Sequence, residues 1–268
     1  TIAETAHSIL EEAQTDPQQR VSFRELESLI GRLGWVSEVM IAGRARLRRL
    51  RSCLWHSSTA RRAFLRVQLS AGAIEDLQWW DQQCTNSTSA WWSPFWPQDK
   101  PACCRIYSDA SGTTGFGLTF NDHIIQGTWH PHAKPASSAA AELLPVLVAL
   151  HLLPPEADGQ VVLVTTDNLG NVFSINKGSC SAADAFEVLF DIFELAAKRR
   201  MYLIGDWIPR EFNTFCDFIS KHYLGSSLAG QPPSPGIIIH KKATPPFPPD
   251  ELRRRLLSPT AAHALPGS

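Results

Sequence analysis

Arg105-Ile106-Tyr107-Ser108-Asp109-Ala110-Ser111-Gly112 reads as a short β-strand that ends on a carboxylate. Small residues follow, and a second apolar run opens at Phe116. A carboxylate at a strand end rides on a rigid element with its head group turned to a ligand. Three later acids, Glu142, Asp167 and Asp217, hold comparable places on later elements.

Working outward, Cys103 to Asp109 is the first of three strands. Gly115 to Phe120 is the second, and Asn121-Asp122 turns the chain into His123 to Trp129. Short connections between consecutive strands imply an antiparallel meander. Ser137 or Ser138 caps a helix that continues to about Leu152, and Val161 to Thr166 is a short β-branched run of the kind that forms a buried strand. A short helix is expected from Asn168 to Asn176. Ser181-Ala182-Ala183-Asp184 starts a long amphipathic helix to about Arg199, with Phe186, Leu189, Phe190, Phe193 and Ala197 facing inward. Arg199 and Arg200 suit the negative end of its dipole. Met201 to Trp207 is a fifth strand, Pro209 breaks it, and Phe212 to Tyr223 forms the last helix. The order β-β-β-α-β-α-β-α, with right-handed crossovers, gives a mixed five-stranded sheet flanked by helices.

Asp109 ends the first strand, and Asp167 ends the fourth, which belongs beside it. Glu142 lies in the first turns of the helix after the meander, and Asp217 lies on the last helix. A single aspartate at a strand end is usually a turn former. Four carboxylates converging on one sheet edge would instead repel one another. Divalent cations resolve that repulsion, and ligation by oxygen alone favours Mg²⁺ or Mn²⁺ over zinc. Two such ions, about 4 Å apart, activate a water and stabilise the leaving oxygen of an in-line phosphodiester displacement.

The residues match a known family. Tyr107-Ser108-Asp109-Ala110-Ser111, Ala141-Glu142-Leu143-Leu144, Thr165-Thr166-Asp167-Asn168, and Asn213 followed four positions on by Asp217 together resemble ribonuclease H. The likeness is to the ribonuclease H domain of retroelement reverse transcriptases, above all the DIRS-like group. Thr166-Asp167-Asn168, Ile175-Asn176-Lys177-Gly178 and Ile208-Pro209-Arg210-Glu211-Phe212-Asn213 look like that group's pattern. Upstream, Glu25 to Leu33, Gly43-Arg44 and Leu77-Gln78-Trp79-Trp80 look like the thumb and connection that end its polymerase.

The resemblance implies endonucleolytic cleavage of the RNA strand of RNA–DNA hybrids during reverse transcription. It makes Asp109, Glu142, Asp167 and Asp217 the holders of two Mg²⁺ ions, with Mn²⁺ able to substitute. Asn168 and Asn213 would lie near the substrate or support the site. Ser111 is a further candidate for substrate binding, and so are Arg44 and Arg48 from the arginine-rich run of the N-terminal part. The expected partners are the hybrid and the rest of a reverse-transcriptase polyprotein. No Tyr-x-Asp-Asp palm motif is present, so DNA synthesis is not expected of this chain.

Three features depart from the family pattern. The loop Trp207-Ile208-Pro209-Arg210-Glu211 lacks the histidine that many ribonucleases H carry before the last acid, and His222 comes too late to match. Pro145 follows Glu142 by three positions and is expected to kink that helix. The leucine-serine-arginine after the last acid is here Ile219-Ser220-Lys221. Two alternatives follow. One is a non-catalytic nucleic-acid-binding remnant of the same polyprotein. The other is an integrase- or transposase-type nuclease of the same fold, against which the position of the Glu142 helix and the upstream thumb pattern argue.

The N-terminal part, residues 1–98, reads as a small helical region. Thr1 to Ala13 has helical spacing, and Asp16-Pro17 breaks it. Ser22-Phe23-Arg24-Glu25 is a capping box ahead of Leu26, Leu29, Ile30, Leu33 and Val36. Further helices are expected over Gly43 to Trp55, with a Leu47, Leu50, Leu54 stripe, and over Ser70 to Gln83. Between Val39 and Ile74 stand eight arginines and no acid, whereas Pro101 to Lys221 holds thirteen acids against eight Lys and Arg. With a net charge of −1 over 268 residues, the chain as a whole is not a basic binder. The asymmetry fits a cationic backbone-binding part joined to an acidic one.

Residues 86 to 102 read as a linker before a ribonuclease H-like domain over 99–223. Residues 224–268, rich in Pro, Ser and Ala, are expected to lack regular structure. Six cysteines without a C-x-x-C pair support neither zinc nor a disulfide framework, and point to reduced thiols in an intracellular protein. No signal peptide or membrane span is visible. Opening on Thr1 in mid-pattern, the chain looks like a piece of a longer polypeptide.

Overall fold

The computed structural model describes residues 1–55, 65–86, 102, 104–121, 123–129, 135–222 and 237–239. The chain divides into two compact units, one up to Pro94 and one from Phe95.

In the first unit, helix α1 (Ile2–Thr15) starts on a reciprocal box in which the Thr1 hydroxyl accepts from the Glu4 amide. Strand β1 (Arg20–Ser22) leads into α2 (Phe23–Val36), and α3 (Gly43–Trp55) follows. Strand β2 (Arg66–Gln68) pairs antiparallel with β1 and leads to α4 (Ala71–Thr85), capped by Ser70. The expected box at α2 forms only by half. Ser22 Oγ accepts from the Glu25 amide, but the Ser22 amide donates to Glu12 of α1 at 3.2 Å. A tertiary acceptor has replaced the local one. Leu26, Leu29, Leu33, Leu47, Leu50, Leu77 and Trp80 meet in one core, with Val36 and Leu54 half-buried against it.

Charge counted along the chain misleads about charge in space. Asp76 of α4 is fully buried, and it takes Arg46 at 3.0 Å and Arg49 at 3.3 Å from α3. Arg44 pairs with Glu38, and Arg66 pairs with Glu12 at 2.9 Å. Acids outside the arginine-rich run, some adjacent to it and one on α1, thus pair with Arg44, Arg46, Arg49 and Arg66. Arg48 is half-buried on α3, and Arg61 and Arg62 lie outside the described residues.

The second unit is built on a sheet of order β7-β6-β3-β4-β5-β8. Strands β3 (Cys104–Ala110), β4 (Gly115–Phe120) and β5 (His123–Thr128) form the expected meander. Helix α5 (Ser138–Leu152), capped by Ser137, crosses to β6 (Val161–Thr166), which runs parallel to β3. Helices α6 (Leu169–Lys177) and α7 (Ala183–Lys198) lead to β7 (Tyr202–Trp207), parallel to β6. A 3-10 turn (Arg210–Phe212) precedes α8 (Thr214–Lys221), and β8 (Ile237–Ile239) pairs with the β5 edge. The five strands β3 to β7 are the expected mixed sheet, flanked by helices.

Several expectations are corrected. The tail carries regular structure at β8, because three consecutive isoleucines suit a strand better than the surrounding prolines suggest. Helix α5 is helical on both sides of the buried Pro145, so Glu142 belongs to a regular helical segment, and the helix packs on α7, β3 and β4. The inward face of α7 is Ala185, Phe186, Leu189, Ile192, Phe193 and Ala196, one position round from the expected stripe, and Phe190 and Ala197 are half-buried. Its start has no side-chain cap. Arg199, at the helix end as expected, also reaches other parts of the chain. Its guanidinium is buried and bonds Asp158 at 2.6 Å and the Pro154 carbonyl at 2.9 Å. The linker's Trp91, Trp92 and Trp96, the loop histidines His130 and His132, and Arg253 to Arg255 lie outside the described residues. No helix among the described residues is long and apolar enough to cross a membrane.

Two glycines seat the helices that frame the sheet's carboxylate end. A Cβ on Gly117 would lie 2.1 Å from Ile219 Cγ1 and 2.8 Å from the Cys216 carbonyl, so α8 can rest on β4 only at a glycine. A Cβ on Gly205 would meet the Val172 carbonyl at 2.8 Å, and this draws α6 onto β7.

Candidate active site

Parallel pairing of Tyr107 with Thr165 brings the ends of β3 and β6 level, and Asp109 and Asp167 follow two positions on. Asp109 is buried and pairs across the ladder with Gly117, beneath α8. Ser220 of α8 lies 2.6 Å from Asp109 Oδ2 and donates its hydroxyl to it, with the Asp217 carbonyl 2.8 Å away. Asn213, buried at the start of α8, donates its side-chain amide to the Ser108 carbonyl at 3.0 Å and to Asp167 Oδ1 at 3.2 Å. One residue thus ties β3, Asp167 and α8 together.

Glu142 comes in from α5. Its Oε2 lies 3.5 Å from Thr166 Oγ1, and the Asn168 side chain also hydrogen-bonds to it. Asn168 caps α6 through its own oxygen, which accepts from the Asn171 amide at 3.1 Å. Trp207 closes the neighbouring side, its indole donating to the Asp167 carbonyl at 3.1 Å. Asp217 takes Arg210 at 3.1 Å and Lys221 on the same oxygen.

The electrostatics follow from this crowding. Burial, and then the charges of Asp167 and Asp217, push the Asp109 carboxyl above its ordinary range, against the Ser220 hydrogen bond. Burial, with the charges of Asp109 and Asp167, pushes Glu142 up to about 7. Asp217 is held below the ordinary range by its hydrogen bond from Lys221 and by Arg210. Asp109 and Glu142 therefore feel the charges of neighbouring acids. Among the described residues, however, no three His, Cys, Asp or Glu side chains are close enough to share a metal ion. Each carboxylate rests instead on a donor from the protein.

Solved structures similar to this chain include two ribonucleases H. One is a ribonuclease H1 isolated from compost by a metagenomic approach, 21% identical, covering 43% of this chain and 91% of that one, with a TM-score of 0.34. The other is the N-terminal ribonuclease H domain of a Mycobacterium tuberculosis protein, solved as a fusion with maltose-binding protein. It is 17% identical and covers 43% of this chain and 88% of that one, with a TM-score of 0.32. At these identities the likeness concerns the fold alone. No family model and no curated protein matches the chain.

The remaining expected site residues are placed as follows. Ser111 sits in the β3–β4 turn, where its hydroxyl accepts from the Thr113 and Thr114 amides at 3.3 Å each. Its side chain is committed to the turn. Arg44 and Arg48 lie in the first unit, Arg44 beside Glu38. Ser220, Lys221 and Arg210 were not expected as site residues. Helical spacing gives the signal for the first two, since positions three and four beyond Asp217 share its side of α8. Arg210 carries no periodic signal, because it lies in a 3-10 turn.

Proposed function

We propose that this chain is a metal-dependent endonuclease that hydrolyses the RNA strand of RNA–DNA hybrids, as part of a retroelement reverse transcriptase. The observation that carries the reading is the gathering of Asp109, Glu142, Asp167 and Asp217 at one sheet end, tied together through Ser220, Asn213 and Thr166.

The donor set suits hard divalent cations, because it is made of oxygen and its four acids outnumber the two cations, Arg210 and Lys221, that pair with it. Asp109, Glu142, Asp167 and Asp217 would hold two Mg²⁺ ions, or Mn²⁺ in their place. Such ions supply an activated water and stabilise the leaving oxygen. The chain's own residues prepare the ligands. Ser220 aims Asp109, Asn213 aims Asp167, and Thr166 and Asn168 aim Glu142. The hydrogen bonds to Asp109 and Glu142 favour the ionised form and oppose the effect of burial, which raises both carboxyls. Arg44 and Arg48 of the first unit would meet substrate phosphates through a salt-sensitive contact. A hybrid read through its minor groove and 2′-hydroxyls would be cut with little base preference.

A second reading is a hybrid-binding module without turnover. It is favoured by the protein donors that occupy each carboxylate and, among the described residues, by the lack of three acids within reach of one ion. A panel of RNA–DNA hybrid, duplex DNA and duplex RNA, each with Mg²⁺ and with EDTA, separates the readings. Mg²⁺-dependent cleavage of the hybrid's RNA strand alone supports the first. Tight, salt-sensitive hybrid binding with no cleavage supports the second, and cleavage of duplex DNA points to an integrase-like enzyme.

A further inference from the structure

Asp217 differs from the other three acids in what holds it. Asp109, Asp167 and Glu142 rest on uncharged donors: a serine hydroxyl, an asparagine amide, and the side chains of Thr166 and Asn168. Asp217 carries two full positive charges on one oxygen, Arg210 Nη2 at 3.1 Å and Lys221 Nζ. Lys221 stands one helical turn beyond it on α8, and Arg210 reaches in from the preceding 3-10 turn. Both cations also act past Asp217: Arg210 feels Asp167 and Asp109, and Asp109 feels Lys221.

The two cations are well exposed, with 70% of the Arg210 side chain and 39% of the Lys221 side chain open to solvent. Exposed ion pairs are weak, so they are easily exchanged for a better anion. A phosphodiester is such an anion, since a guanidinium can grip it with two parallel hydrogen bonds where it makes one to Asp217. A divalent cation, by contrast, meets two positive charges at Asp217.

We propose that Arg210 and Lys221 form a releasable counter-ion clamp on Asp217, which weakens divalent-cation uptake by the free chain and opens when a phosphodiester takes the two cations. Cation and nucleic acid then bind cooperatively, each raising the other's affinity by the same factor. This rests on the metal-dependent reading above.

Calorimetric titration of the full chain with Mg²⁺ alone, in the absence of nucleic acid, tests it. The double variant Arg210→Gln/Lys221→Gln is expected to bind Mg²⁺ about tenfold more tightly than the natural chain, as the combined effect of two exposed pairs. Each single variant should give part of the gain. Adding Asp217→Asn to the double variant should abolish the gain, which a general loss of positive charge would not do. Equal affinities in the natural chain and the double variant, or a gain that survives Asp217→Asn, overturn the clamp and leave the metal site standing. If no form binds Mg²⁺, the clamp and the metal-dependent reading fail together.

Discussion

The Ser220 hydroxyl donates to the Asp109 carboxylate across 2.6 Å, joining the last helix to the first strand of the sheet over 111 residues of chain. Both groups are buried. A hydrogen bond to an ionised group is worth about 1.5–3 kcal/mol, so it decides how readily Asp109 stays charged. Ser220→Ala is expected to lower hybrid cleavage about tenfold at neutral pH. It should also move the acid limb of the pH–rate profile upward, because the bond that favours the ionised form of Asp109 against burial is lost. A profile superimposable on that of the natural chain would remove Ser220 from the site.

Asn213 holds Asp167 and the Ser108 carbonyl from a buried position. Asn213→Ala would leave a buried carbonyl and a carboxylate oxygen without that donor, at a cost of about 1–3 kcal/mol. Urea unfolding should show the loss. Asn213→Asp should be worse, since it replaces the donor with a fourth negative charge next to Asp109, Asp167 and Asp217.

Glu142 gives the free chain a pH-dependent stability with a definite sign. Its carboxyl is pushed up to about 7 from an ordinary value of 4.5, so between these values the folded chain binds more protons than the unfolded one. Stability of the second unit should therefore fall as pH rises from about 4.5 to 7, and level off above. Asp109, also raised, acts in the same direction. Asp217, which is lowered, acts oppositely, but only as the solution becomes acidic enough to protonate it. Denaturant unfolding in EDTA across this range should show the slope, and Glu142→Gln should flatten it. An unchanged slope in the variant would mean that Glu142 is not the buried acid responsible.

Gly117→Ala places a methyl group 2.1 Å from Ile219 Cγ1. The strain should cost about 1–3 kcal/mol and lift α8 from β4. Cleavage should suffer more than stability, since α8 carries Asp217 and Ser220. In the first unit, Asp76→Ala strips two half-buried arginines of their buried partner and should cost about 3–5 kcal/mol, read from that unit's unfolding transition.

What could be read from sequence was what repeats along an element. The β-branched run Val161 to Thr166 and the meander before it were legible at the residue level, because alternation and turn residues act locally. So were α3 and the ends of α5. The three-residue strands β1, β2 and β8 were not, since so short a stretch has no period and its pairing is decided by distant residues. The acids themselves were legible as strand and helix positions. Their partners were less so. Asn213 stood out by its spacing from Asp217, but the bond from Ser220 to Asp109 and the clamp of Arg210 on Asp217 join parts of the chain that only the folded sheet brings together. The arginine-rich run was misleading for the same reason. Asp76 lies outside that run but beneath Arg46 and Arg49 in space.

The central claim is that Asp109 is the pivot of a metal-dependent nuclease. Its most direct test compares the full chain with its Asp109→Asn variant on a fluorescent RNA–DNA hybrid in Mg²⁺, after circular dichroism has shown that both are folded. The account predicts cleavage of the RNA strand by the natural chain and a loss of at least a hundredfold in the variant, for a removed charge at a two-ion site. Equal cleavage by the two proteins would contradict it.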